Sequence, residues 1–98
     1  NDVAYMAIGS FADDKAFYAN IDPFLNRYPN AKGVILDIRN NSGGDELNAR
    51  TIAGRFTDTK RVYRYARLRD GPRSQDLSDF QPLEFGPDGS RRFTGPVV

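Results

Sequence analysis

Gly33-Val34-Ile35-Leu36-Asp37-Ile38-Arg39-Asn40-Asn41-Ser42-Gly43-Gly44 sets a short apolar run, two alternating charges and a small polar loop directly before a helix-competent segment, residues 45–56. A strand that feeds a tight loop and then a helix N-terminus aims backbone N–H groups at one point. There they can hold an anion or a developing oxyanion. Gly43 and Gly44 are the candidate donors, because glycine brings the backbone close to a ligand and takes φ values that other residues resist. The helix that follows adds partial positive charge at its first turn. Asp37 and Arg39 stand two apart on one strand, so they share a face and can brace the loop. Asn40 and Asn41 bond their own backbone and tolerate left-handed conformations, which suits the turn.

Other chemistries fit the residues less well. Ser42 could be a nucleophile, but no base stands within sequence reach of it. The chain has no Cys and no His. That excludes disulfides, a Cys nucleophile, haem ligation through His, nearly all zinc sites and a Ser-His-Asp triad supplied by this chain alone. The lack of Cys leaves the compartment open, since it fits reducing and oxidising surroundings alike. A phosphate site at residues 41–45 would need the Lys-Ser/Thr of a P-loop or the spaced glycines of a dinucleotide fold, and has neither. Asp45 would also compete with an anion there. For Asp37 and Arg39, a structural ion pair is favoured over direct catalysis.

Residues 60–73 raise a different idea. Six basic residues against one acidic, with Tyr63 and Tyr65 between them, have the make-up of a ribbon that tracks phosphates and stacks bases. The same pattern describes an edge strand protected from mispairing by its charges. The remaining chain cancels the patch to a net charge of +1, so the edge strand is favoured and a nucleic-acid partner is not.

The elements that must position these residues can be read from periodicity. At 98 residues the chain is one domain at most, with 39% apolar residues, seven Phe and five Tyr, and a mean hydropathy of −0.62. No apolar run approaches the roughly 18 residues of a membrane-spanning helix, and no signal-peptide pattern opens the chain. It begins Asn1-Asp2 without an initiator Met, as a piece of a longer protein would. Residues 3–8 predict a strand and residues 9–11 a turn. Asp13 or Asp14 can cap a helix with Phe17, Ile21, Phe24, Leu25 and Tyr28 on one face, and Pro23 predicts a kink or a restart capped by Asp22.

Residues 34–38 predict a central strand buried on both faces. The helix over 45–56 is expected to bury Leu47, Ile52, Ala53 and Phe56, with Gly54 a tolerable weak point. A third strand is expected over 61–70 and a short one over 83–85. Residues 95–98 open a further buried strand. The βαβα order predicts an α/β fold with a mostly parallel sheet and crossover helices.

The run from Val34 to Gly44 resembles the signature of the S41 serine peptidases, the carboxy-terminal processing and tricorn-like group. Ala4-Tyr5-Met6-Ala7-Ile8-Gly9-Ser10-Phe11 looks like that family's opening strand. Phe93-Thr94-Gly95-Pro96-Val97-Val98 looks like the run leading to the strand before the nucleophile. The resemblance implies the spiral sheet-and-helix core shared with crotonase-like proteins, incomplete in this chain and without a PDZ domain. It implies a serine endopeptidase parent acting on peptide or protein substrates, with no metal or organic cofactor, and suggests an extracytoplasmic bacterial location. The family's nucleophilic Ser and general-base Lys lie beyond Val98; Lys15, Lys32 and Lys60 do not stand in the family's order. What carries over is a backbone role: an amide of Gly43 or Gly44 as one oxyanion donor. The chain alone is then expected to be inactive, and its sheet edge to favour self-association.

Overall fold

The computed structural model describes residues 2–98. β1 (Val3–Ala7) and β2 (Gly33–Asp37) pair in parallel, Ala4 beside Val34, Tyr5 beside Ile35 and Met6 beside Leu36. Residues 96–98 join the other edge of β2. Val34 N–H donates to Pro96 O (3.0 Å), Leu36 N–H to Val98 O (2.8 Å) and Val98 N–H to Val34 O (3.0 Å). β2 is therefore the middle strand, with its backbone bonded on both sides.

Its side chains behave differently from its backbone. The two-residue period sends Ala4, Met6, Val34 and Leu36 to one face. There Ala4 and Val34 are buried with Ile8, Tyr18, Ile21, Leu25, Ile52 and Phe93. Val3, Tyr5 and Ile35 occupy the opposite face and are exposed. The expected burial on both faces is not observed, because among the described residues the helices cover only one side of the sheet; Ile35 and Ile38 are exposed.

The amphipathic segment after β1 forms two helices, α1 (Lys15–Tyr18) and α2 (Ile21–Arg27). Pro23 causes the break, but upstream of itself. With no N–H it cannot donate to the Ala19 carbonyl four residues back, and Asp22 N–H takes that carbonyl instead at 3.0 Å. The restart expected at Asp22 falls at Asn20, which precedes α2 without a side-chain cap. Pro23 then lies in the first turn, where its missing donor costs little. Ile21 and Leu25 reach the centre of the core.

α3 (Glu46–Ala53) is shorter than the expected 45–56; Ile52 lies in the core and Phe56 packs against it as expected. Leu47, expected in the core, is 56% exposed, whereas Asn48, Thr51 and Ile52 are buried. Arg55, just past the helix, is also buried. Its Nε and Nη2 donate to the two oxygens of Asp22 (2.9 and 3.0 Å), and its Nη1 donates to Asp88 Oδ1 (2.6 Å) and to the Thr51 carbonyl (2.9 Å). One guanidinium thereby ties α2, the end of α3 and the loop after β4. Gly54 belongs to the same junction: a Cβ there would lie 2.5 Å from Asp88 Cβ and 2.7 Å from Gly86 O. Close approach explains this glycine better than weak helix formation does.

β3 (Arg61–Ala66) and β4 (Gln81–Phe85) form a separate antiparallel sheet. The strand expected over 61–70 ends at Ala66 and continues only as the bridge between Arg69 and Leu77. The α/β fold with a parallel sheet and crossover helices is as expected; the antiparallel hairpin is an addition to it. Among the described residues no helix is long and apolar enough to cross a membrane.

Candidate active site

Parallel strands end on the same side of a sheet, so the loops after β1 and β2 meet there, at the edge where open α/β sheets hold their ligands. Ser42 N–H donates to Gly9 O (3.1 Å), Phe11 N–H to Gly43 O (2.8 Å) and Asp45 N–H to Phe11 O (3.0 Å). Asn41 Nδ2 donates to Ile8 O at 2.9 Å. From α3, the buried Asn48 side chain donates to the carbonyls of Phe11 and Asp13, both at 2.9 Å. From α1, the buried Tyr18 hydroxyl donates to Ser10 O (2.9 Å) and accepts from Asp13 N–H (3.1 Å). Two loops separated by about thirty residues of sequence are thus fastened into one wall.

The two glycines differ within that wall. Gly43 N–H donates to Asn41 Oδ1 at 2.8 Å, so this donor is spent inside the loop. Gly44 N–H has no acceptor among the described residues. The bridge between Phe11 and Gly44 engages the Gly43 carbonyl and the Asp45 N–H, so the N–H of Gly44 between them faces the other way. Both residues have positive φ, 96° and 134°. A Cβ on Gly43 would meet nothing within 4 Å, whereas one on Gly44 would lie 2.3 Å from the Phe11 carbonyl carbon. Asp45 Oδ1 accepts from Leu47 N–H at 2.8 Å, capping α3. Of the two candidate donors, only Gly44 is available, at the exposed start of a helix.

Asp37 and Arg39 face each other. Arg39 Nε donates to Asp37 Oδ1 (3.0 Å) and Nη2 to Oδ2 (2.8 Å), and Arg39 N–H also donates to Oδ1 (3.1 Å). Tyr5 on β1 donates its hydroxyl to the same carboxylate. The Arg39 guanidinium, and then the Tyr5 hydroxyl, hold the Asp37 carboxyl well below the usual carboxylate range. A carboxylate held that low is a poor proton acceptor near neutral pH. In turn Asp37 pushes the Tyr5 hydroxyl and the Arg39 guanidinium up. Beside the pair lies a cavity of about 110 Å³ lined by Tyr5, Ala7, Ile8, Gly9, Asp37 and Asn40.

Arg39 and Asn40 form the turn closed by Asn41 N–H to Ile38 O at 3.0 Å. Neither asparagine uses its tolerance of left-handed backbone; among the described residues only glycines have positive φ. Ser42 is exposed, and its hydroxyl lies 3.4 Å from Gly9 O with no titratable partner.

The basic strand is largely engaged within the chain. Arg61 Nε donates to Thr57 Oγ1, Arg64 to Glu46, Arg67 to Ser78 O, Arg69 to Gly71 O, and Arg73 to Asp76. Each of these five guanidiniums already has an oxygen acceptor within the chain. Sequence reasoning did not single out Asn48, Tyr18 or Arg55, the three polar groups that fix the loops and the helix behind them. The signal for Asn48 was faint: a polar residue on the inner side of a short helix, four positions after Gly44.

Comparison with known proteins was made against this geometry. The family model described as peptidase family S41 matches residues 2–98. A crystal structure of a protein assigned as a peptidase, from Parabacteroides merdae ATCC 43184, superposes with a TM-score of 0.82 at 28% identity. The alignment covers 98% of this chain and 30% of that one. No significant match was found among curated proteins.

Proposed function

Since this chain belongs to peptidase family S41, we propose that it forms the N-terminal part of a serine peptidase catalytic domain and supplies one oxyanion donor, the Gly44 N–H. A serine and a lysine from another part of the parent complete the site. The serine Oγ attacks the scissile carbonyl carbon while the lysine amine takes its proton. The carbonyl π pair moves onto oxygen, and the resulting oxyanion receives a hydrogen bond from Gly44. Collapse restores the carbonyl and breaks the C–N bond while the lysine ammonium passes its proton to the departing nitrogen, leaving an acyl-enzyme and a free amine.

The observation that carries this reading is the division of labour between the glycines. Gly43 N–H is consumed by Asn41, which fixes the loop, and Gly44 N–H is exposed and unspent where α3 begins. The partial positive charge of the helix start favours negative charge at that point. Asp37, Arg39 and Asn41 serve this donor by bracing the loop, and Asn40 by completing the turn.

Replacing the Gly44 amide by a backbone ester in the full-length parent removes the donor and adds no Cβ. The expected result is a loss of about 100-fold in kcat on a peptide substrate with KM little changed. An unaltered kcat would remove Gly44 from the oxyanion site. The 98-residue chain itself is expected to leave casein uncleaved, because no lysine bonds to Ser10 or Ser42 among the described residues. Turnover by this chain, abolished by Ser42→Ala, would overturn that expectation.

A further inference from the structure

The parallel strands also have a starting edge, opposite the Gly44 loop. Residues 96–98 run beside β2 from its first residues, so Phe93 and Thr94 lie just before that edge. Phe93 N–H donates to Arg55 O at 2.8 Å, which brings the residues after α3 to the same place. There the rings of Phe56 and Phe93 meet edge to face with centroids 6.0 Å apart. Beside them is a cavity of about 210 Å³ whose polar lining is Thr57, Asp58, Arg61, Arg92 and Thr94.

Both arginines of this lining are fastened through one nitrogen and otherwise unspent. Arg92 Nη1 donates to the Asp88 and Arg91 carbonyls, both at 2.9 Å. Arg61 Nε donates to Thr57 Oγ1 at 3.2 Å, and that buried hydroxyl is itself held by donating to Thr59 O at 2.8 Å. Their other guanidinium nitrogens have no acceptor among the described residues. Arg39, Arg55, Arg64 and Arg73 are met by carboxylates; Arg61 and Arg92 are not, and Asp58 on the same lining is equally unpaired among the described residues. Two positive charges against one negative leave the cavity cationic. Its volume equals that of about seven water molecules at about 30 Å³ each, room for a small oxyanion and part of its hydration.

We propose that this cavity binds a phosphate group, free or as the head of a monoester, through Arg61, Arg92 and Thr94. Guanidinium forks match the spacing of oxyanion oxygens. Two forks offer more donors than the two oxygens of a carboxylate take up. A phosphate spreads roughly −1.5 to −2 of charge over three or more oxygens and can engage both. The bound group joins the start of β3 to the segment that leads into residues 96–98, across the end of α3. It does so at the far edge of the sheet from Gly44, independently of the oxyanion reading.

The test is a titration of the ¹⁵N-labelled chain with inorganic phosphate and, separately, with glycerol 3-phosphate, ionic strength being held constant with sodium chloride. The amides of Asp58, Arg92 and Thr94 are expected to shift and saturate. The Kd should weaken about 10-fold in Arg61→Gln and in Arg92→Gln. Asp58→Asn, which removes the opposing charge, should tighten it about threefold. Arg61 is exposed on β3, so its variant keeps the test alive should Arg92→Gln, which loses two bonds to backbone carbonyls, fail to fold. Thermal melts give a second readout. With phosphate at about ten times its Kd, the midpoint should rise about 5 °C more in the wild type than in Arg61→Gln. The general stabilising effect of phosphate as a salt cancels in that difference. Tighter binding of the monoester upholds the site and assigns it to an organic phosphate; otherwise saturable binding of the inorganic ion upholds it for free phosphate. Shifts that do not saturate, shifts spread along residues 60–73, or a Kd unmoved by both Arg61→Gln and Asp58→Asn would overturn the site.

Discussion

Gly44→Ala should destabilise the chain by about 4 kcal/mol, and Gly43→Ala by only about 1–2 kcal/mol, although the two glycines are adjacent and both have positive φ. Each substitution strains the backbone, since L side chains resist φ of 96° and 134°. Only Gly44 adds a collision. Its Cβ would sit 2.3 Å from the Phe11 carbonyl carbon and 2.5 Å from Ala12 N, both backbone atoms that no rotamer change can move. Relief requires the loop after β2 to withdraw from the loop after β1. That breaks the bonds from Phe11 N–H to Gly43 O and from Asp45 N–H to Phe11 O. For a domain of this size the larger loss corresponds to a fall of roughly 20 °C in the thermal midpoint. Circular-dichroism melts of both variants measure the contrast, and equal losses would show that the two loops are not in the contact described.

Arg55→Ala should lower stability by about 3 kcal/mol, a fall of roughly 15 °C in midpoint, although Arg55 lies past the far end of α3 from Gly44. The Arg55 side chain is 5% exposed, and its partners Asp22 and Asp88 are 30% and 37% exposed. Removing the buried member leaves a void and two carboxylates that water can partly reach, so the loss lies at the low end for a broken buried pair. The pH dependence gives a second signature. The Arg55 guanidinium holds the Asp22 carboxyl below its ordinary value. A folded-state pKa that is depressed contributes stability above the unfolded value, near 4 for an aspartate, and that contribution is lost as pH falls through the folded value. The gap between wild type and Arg55→Ala is therefore expected to be constant near neutral pH and to shrink below about pH 4. A gap that persists into strong acid would assign the whole effect to lost packing.

How much of this was legible in the sequence depends on whether the cause was local. The run of Val34, Ile35 and Leu36, and the break at Gly43 and Gly44, are local signals, and both β2 and the loop lie where they were expected. Family S41 was legible from the same run. The face of α3 was legible in part, at Ile52 and Phe56 but not at its first turn. Periodicity chose Leu47, but the residue that turns inward is Asn48, because two carbonyls in the loop after β1 need donors. Nor could the sequence separate Gly43 from Gly44, since the difference lies in Phe11, thirty-odd positions upstream in the chain. Pro23 was read correctly as a restart, but at Asp22 rather than at Asn20, because the Ala19 carbonyl that Pro23 cannot reach is taken by Asp22 N–H instead. Arg55 gave no warning at all: its partners come from α2 and from the loop after β4.

Asn41 uses both ends of its side-chain amide, Nδ2 on Ile8 O and Oδ1 on Gly43 N–H. The Ser42 N–H, the group that would have to close onto that amide for the asparagine to cyclise and deamidate, is itself turned to Gly9 O. Asparagine is among the residues proteins lose first on heating or long storage. Asn40, next to it, is exposed, and its side chain has no hydrogen bond among the described residues. Its own cyclisation would need the Asn41 N–H, and that group closes the turn onto Ile38 O at 3.0 Å, so both asparagines of the loop are guarded from deamidation by the backbone amide that follows them.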